Sequence, residues 1–526
     1  MKQLWYGGPI YTMEREMETV EAVLVEDGII VDAEKLIDLR QEVDECVDLN
    51  GAAMYPGFVD SHIHLLNQGE KLMRLDLSQA KSAEEMLELL RQAANITPEG
   101  EWLFGDGWNE NQFSDKRIPS IEELDAIHAG PVLLTRVCRH MTLANTAALK
   151  AGGIDKHSIA PQGGEIGRDE NGNVNGLLYD QAMNAVNDAQ PKMGEGYLAY
   201  LTEALERAIR QMQSYGLTGA HTEDMDYFGP YQNPLTAFQR TIGKEHHFRV
   251  TLLRHNAVFE KMMNDQLYFD EPFIEPGPMK IFADGAFGGS TAALSSPYAD
   301  NPDHTGLLIQ TDEELAKLVQ QARSYNETVA VHIIGDMAAE QVISVLEKYP
   351  APAGKRDRLI HCSVLRSDLI ERMKKLSVVL DLQPAFVPSD FPWVIDRLGV
   401  DRLGWSYTCR SLINEGFMCA AGTDAPVEDI NPLWTIYAAV ERKNPGEQHE
   451  GYLPEEKISR FEAIQMYTVG SAQAICKEHE RGLIKKGYVA DFSIFDRDLF
   501  TGTTEDMLRA CAVKTVVNGR IVYERA

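Results

Sequence analysis

From about residue 200 onward, short apolar runs alternate with stretches of helical periodicity, and this alternation limits the fold more than any other feature of the chain. Seven of these runs are long enough for a buried strand, at 216–222, 248–255, 278–284, 328–333, 358–362, 378–382 and 417–423. An eighth run lies just before His62, and helix-like stretches such as 312–325 and 336–349 separate the later ones. Eight strands that alternate with helices predict an α/β fold, a TIM-like (β/α)8 barrel.

Two parts of the chain do not fit the barrel, which takes residues 55–67 and 196–479. Residues 1–54 and 480–526 show short strand patterns with turns, and we expect both ends to form one composite β-sandwich domain. Residues 68–195 are far too long for a connection between a strand and a helix. They contain their own turns, helices and aromatic residues, so they are predicted to form an inserted subdomain.

Charge and cysteine content limit the partners and the compartment. The formal net charge of −30 argues against nucleic acid and anionic membrane surfaces as partners. The seven cysteines are scattered without a Cys-x-x-Cys pair, and neither a signal peptide nor an apolar span is apparent. We therefore expect a cytoplasmic protein that acts on a small-molecule substrate, with no nucleic acid and no membrane partner, and a homodimer stays open.

The segment Pro56-Gly57-Phe58-Val59-Asp60-Ser61-His62-Ile63-His64 carries the strongest chemical signal. Residues i and i+2 of a strand point to the same face, so His62 and His64 can reach one point in space. Imidazole is the commonest protein ligand of zinc-like ions. A His-x-His pair alone is weak evidence, and its weight depends on further ligands at the ends of the other strands.

Active sites of such barrels lie at the C-terminal ends of the strands. Reading those ends adds four candidates, which are Lys280, His332, His361 and Asp424. Imidazoles and a carboxylate suit zinc, manganese or iron. An ammonium group at Lys280 would repel two cations, but a desolvated lysine has a lowered pKa and can react with carbon dioxide to give an anionic carbamate that bridges two metals.

These motifs resemble a known family. The segments that carry the resemblance are PGFVDSHIH at 56–64, GWNENQF at 107–113, RHMTLANTAAL at 139–149, GGEIGRDENGNVNGLL at 163–178, MKIFADGAFGGSTAAL at 279–294, VHIIGD at 331–336, IHCS at 360–363, GTDAPV at 422–427 and GYVADFSIFD at 487–496. They are similar to the amidohydrolase superfamily and, within it, to the YtcJ-like branch (amidohydrolase 3) that includes N-substituted formamide deformylases. The resemblance covers essentially the whole chain, and it is specific for the fold and the metal site but poorly specific for the substrate.

The resemblance implies a set of metal ligands with no position substituted, namely His62, His64, Lys280, His332, His361 and Asp424. It implies two divalent metal ions, with zinc favoured and manganese or iron as alternatives, and a carboxylated Lys280. The reaction implied is hydrolysis of a non-peptide C–N bond of an amide, a formamide or a cyclic amide, through a metal-bridging hydroxide.

Further residues are candidates for catalysis and substrate binding. Asp424 is predicted to be the catalytic acid–base group, with His221 as the first alternative. Trp108, His140 and Asp284 are candidates for substrate contact, although each could equally be a structural residue. The segment RHMTLAN departs slightly from the family pattern, which leaves the details of the pocket open.

Two other readings stay open. A mononuclear deaminase of the same superfamily would lack the lysine and use a nearby Glu, whereas this chain has Lys280 and no Glu at 333–335. A non-enzymatic relative should have lost ligands, and none is lost. The sequence therefore favours the two-metal hydrolase, and the number of bound ions separates the three readings.

Overall fold

The computed structural model describes residues 1–34, 40–98, 100–136, 141–161, 164–189, 194–243, 246–267, 269 and 271–525. The chain forms two compact units, one from Met1–Gln68 with Leu201–Ala526 and the other from Gly69–Tyr200. The sequence predicts an inserted subdomain at 68–195, and the second unit spans Gly69–Tyr200.

The first unit contains a nearly closed barrel of eight parallel strands, as the sequence predicts. In chain order they are β1 (Phe58–Ile63), β2 (Leu217–Glu223), β3 (Arg249–His255), β4 (Ile274–Phe282), β5 (Val329–Ile333), β6 (Asp357–His361), β7 (Val378–Leu382) and β8 (Cys419–Ala421). Each strand pairs in parallel with the next barrel strand along the chain, so the strand order in the sheet follows the chain from β1 to β8. Strands such as β2, β6 and β7 are buried along their whole length, because helices cover a barrel from outside and side chains fill it from inside.

The ends of the sheet meet where the residues after β8 reach β1. A Cβ built on Gly422 would lie 2.5 Å from the amide nitrogen of His62, so only glycine allows this approach. Asp60 then links the two strands, since its Oδ2 accepts the Thr423 hydroxyl at 2.6 Å and its Oδ1 accepts the amide of His62 at 3.0 Å. This contact brings the C-terminal ends of β1 and β8 together.

Helices alternate with the barrel strands and follow the last of them. The α-helices from the first barrel strand onward, outside the insertion, are Leu65–Met73, Glu195–Ser214, Gln232–Thr241, Asn256–Asn264, Asp312–Ser324, Asp336–Lys348, Ser367–Met373, Phe386–Leu398, Arg410–Asn414, Pro432–Glu441, Arg460–Gln465, Ser471–Ala474 and Thr504–Leu508. Short 3-10 helices cover Val400–Trp405 and Pro454–Glu456, and a π-helical turn covers Met466–Gly470. A capping box of Thr311 with Glu314 fixes one typical helix start.

Strands from both ends of the chain form one further sheet in the first unit. They are Lys2–Tyr11, Thr19–Glu26, Ile29–Glu34, Glu45–Asp48, Ala53–Pro56, Phe492–Phe495, Ala512–Val517 and Arg520–Glu524. Ala53–Pro56 joins the two ends, because it pairs with Lys2–Tyr11 on one side and with Phe492–Phe495 on the other. The pairing describes one continuous sheet with a common core that includes Trp5 and Phe492.

The second unit has its own mixed sheet and its own core. Its strands are Leu75–Asp76, Leu103–Trp108, Val132–Arg136, Met141–Ala144, Gly164–Arg168 and Val174–Asp180. Its helices are Ala83–Ala94, Ile121–Ile127, Thr146–Ala151 and Asn184–Asn187, with 3-10 turns at Glu110–Gln112 and Gln181–Met183. Over the described parts of both units, none of the helices has the length and apolar character that a membrane crossing needs.

Candidate metal centre

Two backbone hydrogen bonds hold the predicted ligands of β1 and β8 beside each other. The amide of Asp424 donates to the carbonyl of His62 (2.8 Å), and the amide of His64 donates to the carbonyl of Ala425 (2.9 Å). β1 ends at Ile63, so both histidines lie at the C-terminal end of the barrel. The line where the barrel closes therefore carries three of the six predicted ligands.

The side chains of these three residues converge. Oδ1 of Asp424 lies 3.5 Å from Nε2 of His62 and 3.4 Å from Nε2 of His64, and the three ligand atoms lie within 4.8 Å of one another. Within the described part of the chain, this buried Oδ1 accepts no hydrogen bond. A buried carboxylate oxygen without a donor is costly, whereas imidazole nitrogens and carboxylate oxygens are zinc ligands. The three residues thus fit a divalent cation.

Hydrogen bonds determine which ring nitrogen of His64, His332 and His361 is available to bind a metal ion. Three rings donate an N–H to a protein oxygen: His64 Nδ1 to the Glu223 carbonyl (2.7 Å), His361 Nδ1 to the Gln383 amide oxygen (2.7 Å) and His332 Nε2 to the Gly285 carbonyl (3.0 Å). The second nitrogen of each ring then keeps its lone pair. Metal-binding histidines are commonly oriented in this way by a carbonyl or carboxylate behind the ring.

His332 and His361 form a second pair beside the first. Their ring centroids are 4.5 Å apart, and the ring of His361 lies 5.6 Å from that of His62. His361 therefore stands between the imidazoles of β1 and β5. The structure brings both pairs of histidines into one cluster.

The backbone is strained at two of the six predicted ligands. The φ angle is +73° at His361 and +55° at Asp424, in the left-handed region that residues with a Cβ rarely adopt. Such conformations cost free energy and concentrate at functional sites, where the surrounding structure enforces them. Here the strain aims both side chains at the cluster.

Lys280 lies inside this cluster and is fully buried. Its Nζ is 3.1 Å from Nε2 of His62 and 4.6 Å from the ring centre of Phe282. Burial lowers the pKa of Lys280 to about 8, against Glu223 and Asp424, which act to raise it. A larger fraction of this amine is therefore neutral near pH 7 than for an exposed lysine.

Burial also keeps most of the imidazoles neutral. It lowers the pKa of His62 and His332 well below the usual range and that of His361 to about 4. His64 differs, because its contact with Asp424 outweighs burial and raises its pKa. Neutral imidazoles are the form that binds metal ions.

A second polar group, which we call the interior cluster, consists of Ser61, His221, Arg358 and Asp381. The Arg358 guanidinium donates to the Ser61 carbonyl and to Asp381, and its Nη1 lies 3.4 Å from Nδ1 of His221. Asp381 also accepts the Ser61 hydroxyl. His221 is thus engaged with Arg358 within the barrel, and its role as the alternative proton shuttle stays a prediction.

The three candidates for substrate contact fare differently. Asp284 is buried and accepts three backbone amides, those of Ala293 (2.8 Å), Ile334 (3.0 Å) and Gly335 (2.8 Å), so it holds the chain after β4 and β5 together. Trp108 is fully buried in the core of the second unit and donates Nε1–H to the Leu134 carbonyl at 3.1 Å. Asp284 Oδ1 also lies 3.7 Å from Nε2 of His332, so this carboxylate is next to a predicted ligand. Contact of Asp284 and Trp108 with substrate stays a prediction, and His140 lies outside the described residues.

Two residues that orient predicted ligands were not among the candidates from the sequence. Gln383 orients His361, and Glu223 orients His64 through its carbonyl. Glu223 had a sequence signal, because it directly follows the predicted strand at 216–222, two residues after His221. Gln383 had none beyond its place after the strand at 378–382.

Known proteins resemble this chain over most of its length. The model of the family described as "Amidohydrolase family" matches residues 45–523. YtcJ of Bacillus subtilis (strain 168), whose name places it among amidohydrolases, is 44% identical over 534 residues and covers 100% of both chains. The N-substituted formamide deformylase of Arthrobacter pascens is 27% identical over 541 residues, which cover 98% of this chain and 97% of the deformylase.

A solved structure is similar over almost the same length. The crystal structure of an uncharacterized metal-dependent hydrolase from Pyrococcus horikoshii OT3 superposes with a TM-score of 0.81 at 27% identity, covering 96% of this chain and 99% of that one. With its barrel, its strand-end histidines and a family match over most of its length, the chain belongs to the amidohydrolase family.

Proposed function

We propose that this chain is a metal-dependent hydrolase that cleaves a non-peptide C–N bond of an amide, a formamide or a cyclic amide. The observation that carries the proposal is the buried Oδ1 of Asp424, which faces two imidazoles and finds no donor among the residues that the structure describes. The deformylase supports the type of bond, and the Pyrococcus protein supports the metal.

Two cations can be assigned to the six residues. One would be held by His62, His64, Lys280 and Asp424, and the other by Lys280, His332 and His361. Zinc suits these ligands best, with manganese or iron as alternatives. When bound, the two ions would lower the pKa of a water molecule between them and polarise the scissile carbonyl.

Lys280 contributes as a carbamate. Its neutral Nζ bonds to the carbon of carbon dioxide and loses one proton, which leaves an anion with two oxygens. Full burial disfavours an ammonium ion at this position, and bound cations would disfavour it further. The anion would bind a cation through each oxygen.

Asp424 moves the proton. Its carboxylate takes a proton from the attacking water and passes it to the nitrogen that leaves, while the C–N bond breaks and the carbonyl carbon keeps the new oxygen. Burial works to raise the pKa of Asp424, but His64, His361 and Lys280 outweigh it and hold the pKa below its usual range. The carboxylate is therefore ionised and able to act as a base at neutral pH.

The decisive experiment measures metal and hydrolysis in the same preparation. We expect about two divalent ions per purified chain. The chain should hydrolyse members of a panel of N-formyl amines, simple amides and cyclic amides, with the newly formed amine group as the readout. Chelation should abolish this activity, and zinc or manganese alone should restore it. Lys280→Ala should retain one ion, and added short carboxylates should restore part of the activity.

A matched control is the exposed His157, since His157→Ala should keep both the metal and the rate. Full activity in the demetallated chain would overturn the metal dependence. One ion per chain with ammonia release from an aminated heterocycle would point to the mononuclear deaminase instead.

A further inference from the structure

Glu223, the last residue of β2, is a buried acid that the six predicted ligands do not explain. Its side chain has no exposed surface. Within the described ranges, neither of its two carboxylate oxygens has a hydrogen-bond partner. A carboxylate in this position loses its hydration without gaining a hydrogen bond, which is costly unless a cation or a donor completes it.

The neighbouring acid shows that this arrangement is specific to Glu223. Asp224 is also fully buried, but its Oδ1 accepts the amide of Leu66 at 3.2 Å and its Oδ2 accepts the hydroxyl of Thr222 at 2.5 Å. Two adjacent acids with the same burial therefore differ in whether their oxygens are satisfied.

The direction of the strand places the Glu223 side chain with the predicted ligands. Side chains alternate along β2, and Thr222 faces outward, where its hydroxyl accepts the amide of Leu65 at 2.9 Å. Glu223 then shares the inner face of the barrel with His221, one step nearer the C-terminal end. Burial raises the pKa of Glu223 to about 8, and the charges of Lys280 and His64 act against this rise.

We propose that the Glu223 carboxylate is a further metal ligand, supplied by β2, which contributes none of the six predicted ligands. This inference rests on the proposed function. Two divalent cations with a Lys280 carbamate, Asp424 and one hydroxide would carry a net charge of +1, and an ionised Glu223 would reduce it to zero, which a buried site tolerates better. The His64 imidazole, hydrogen-bonded to the Glu223 carbonyl, holds this residue beside the cluster.

The test compares Glu223→Gln with Asp224→Asn in the full chain, because both changes remove one buried carboxylate and keep its shape. Zinc alone is the probe, and its content per chain and its dissociation constants are measured by competition with a chromophoric chelator. Glu223→Gln should weaken one of the two ions at least about tenfold, while Asp224→Asn should stay close to the parent. Thermal unfolding of both variants shows whether they are folded.

The outcomes separate the inference from the proposed function. Equal losses of affinity in the two variants, or unchanged affinity in Glu223→Gln, would overturn the ligand role while leaving the metal site in place. A parent chain that binds no zinc would overturn the proposed function together with the inference.

A structure of the zinc-loaded parent gives an answer that does not depend on how the variants fold. A Glu223 oxygen about 2.0–2.2 Å from a zinc ion would establish the ligand. A carboxylate beyond bonding distance from every zinc ion would exclude it.

Discussion

The barrel holds two buried polar clusters that differ in how far their atoms are satisfied. In the interior cluster, Arg358 bonds Ser61 and Asp381 and lies against His221, and Nε is the one guanidinium nitrogen left without an acceptor among the described residues. At the strand ends, Asp424 Oδ1, His62 Nδ1 and both oxygens of Glu223 are buried, and none has a partner in the part of the chain that the structure describes.

This difference in hydrogen bonding suggests a structural role for the interior cluster and a functional role for the strand-end cluster. A cluster that satisfies all but one of its guanidinium nitrogens within itself can stabilise a barrel without a ligand. A cluster that leaves several buried atoms unsatisfied costs free energy, and such a cost is expected where a ligand completes the site. We therefore expect changes in the strand-end cluster to act on metal and rate, and changes in the interior cluster to act on stability.

The largest effect should come from replacing His62 and His64 together by Ala. The double variant should lose bound metal and reduce hydrolysis to the level of a protein-free control, because two ligands of one cation are gone. Its unfolding temperature should stay near that of the parent measured without metal. Retained metal with normal turnover would break the distinction between the two clusters.

Asp424→Asn should lower kcat by about 10²–10⁴-fold, the usual contribution of a general base. The amide keeps the size of the carboxylate and part of its ligand capacity, but it cannot take the proton. Because the pKa of Asp424 lies below its usual range, the base is lost only at acidic pH, and the acid limb of the parent pH–rate profile should change in the variant. A metal-loaded variant within a few-fold of the parent would assign the proton transfer to another group.

Arg358→Met should act on stability. It leaves the Asp381 carboxyl group buried without its cation, and removing one partner of a buried ion pair typically costs about 3–5 kcal/mol of unfolding free energy. Urea denaturation measures the loss, and a double variant with Asp381→Asn should recover part of it. A change below about 1 kcal/mol would show that the pair is not important for stability.

The smallest effect is expected for His221→Gln. The amide oxygen can still accept from Arg358, so kcat should stay within a few-fold of the parent and the unfolding free energy should change by about 1 kcal/mol or less. Steady-state kinetics with the metal-loaded variant provides the measurement. A loss of kcat as large as that of Asp424→Asn would return His221 to the role of proton shuttle.

Sequence reasoning reached most of the barrel because its signals are local. The run at 378–382 has the same bounds as β7, and the run at 358–362 is displaced by one residue from β6, since continuous apolar runs of strand length identify buried parallel strands. The order of such strands follows the chain, so their C-terminal ends could be read directly for candidate ligands. The rule that side chains alternate on a strand related His62 to His64.

Tertiary structure decided what the side chains do. Asp284 and Trp108 looked like candidates for substrate contact, but their partners are backbone groups brought to them by folding, namely the amides near Gly335 and the carbonyl of Leu134. The role proposed for Glu223 depends on a contrast that only the structure shows: both oxygens of its neighbour Asp224 accept hydrogen bonds, and those of Glu223 accept none from the described residues.

The amino-acid sequence by itself determined the eight strands, the family and the residue types at the strand ends, because periodicity and motif spacing are properties of a single stretch of chain. Only the fold decided which buried polar atoms are paired and which are not. Thr423 and Asp60 are 363 positions apart, yet their hydrogen bond joins the two ends of the barrel sheet and brings Asp424 to the histidines. Pairing between such distant residues depends on packing, and no local pattern encodes it.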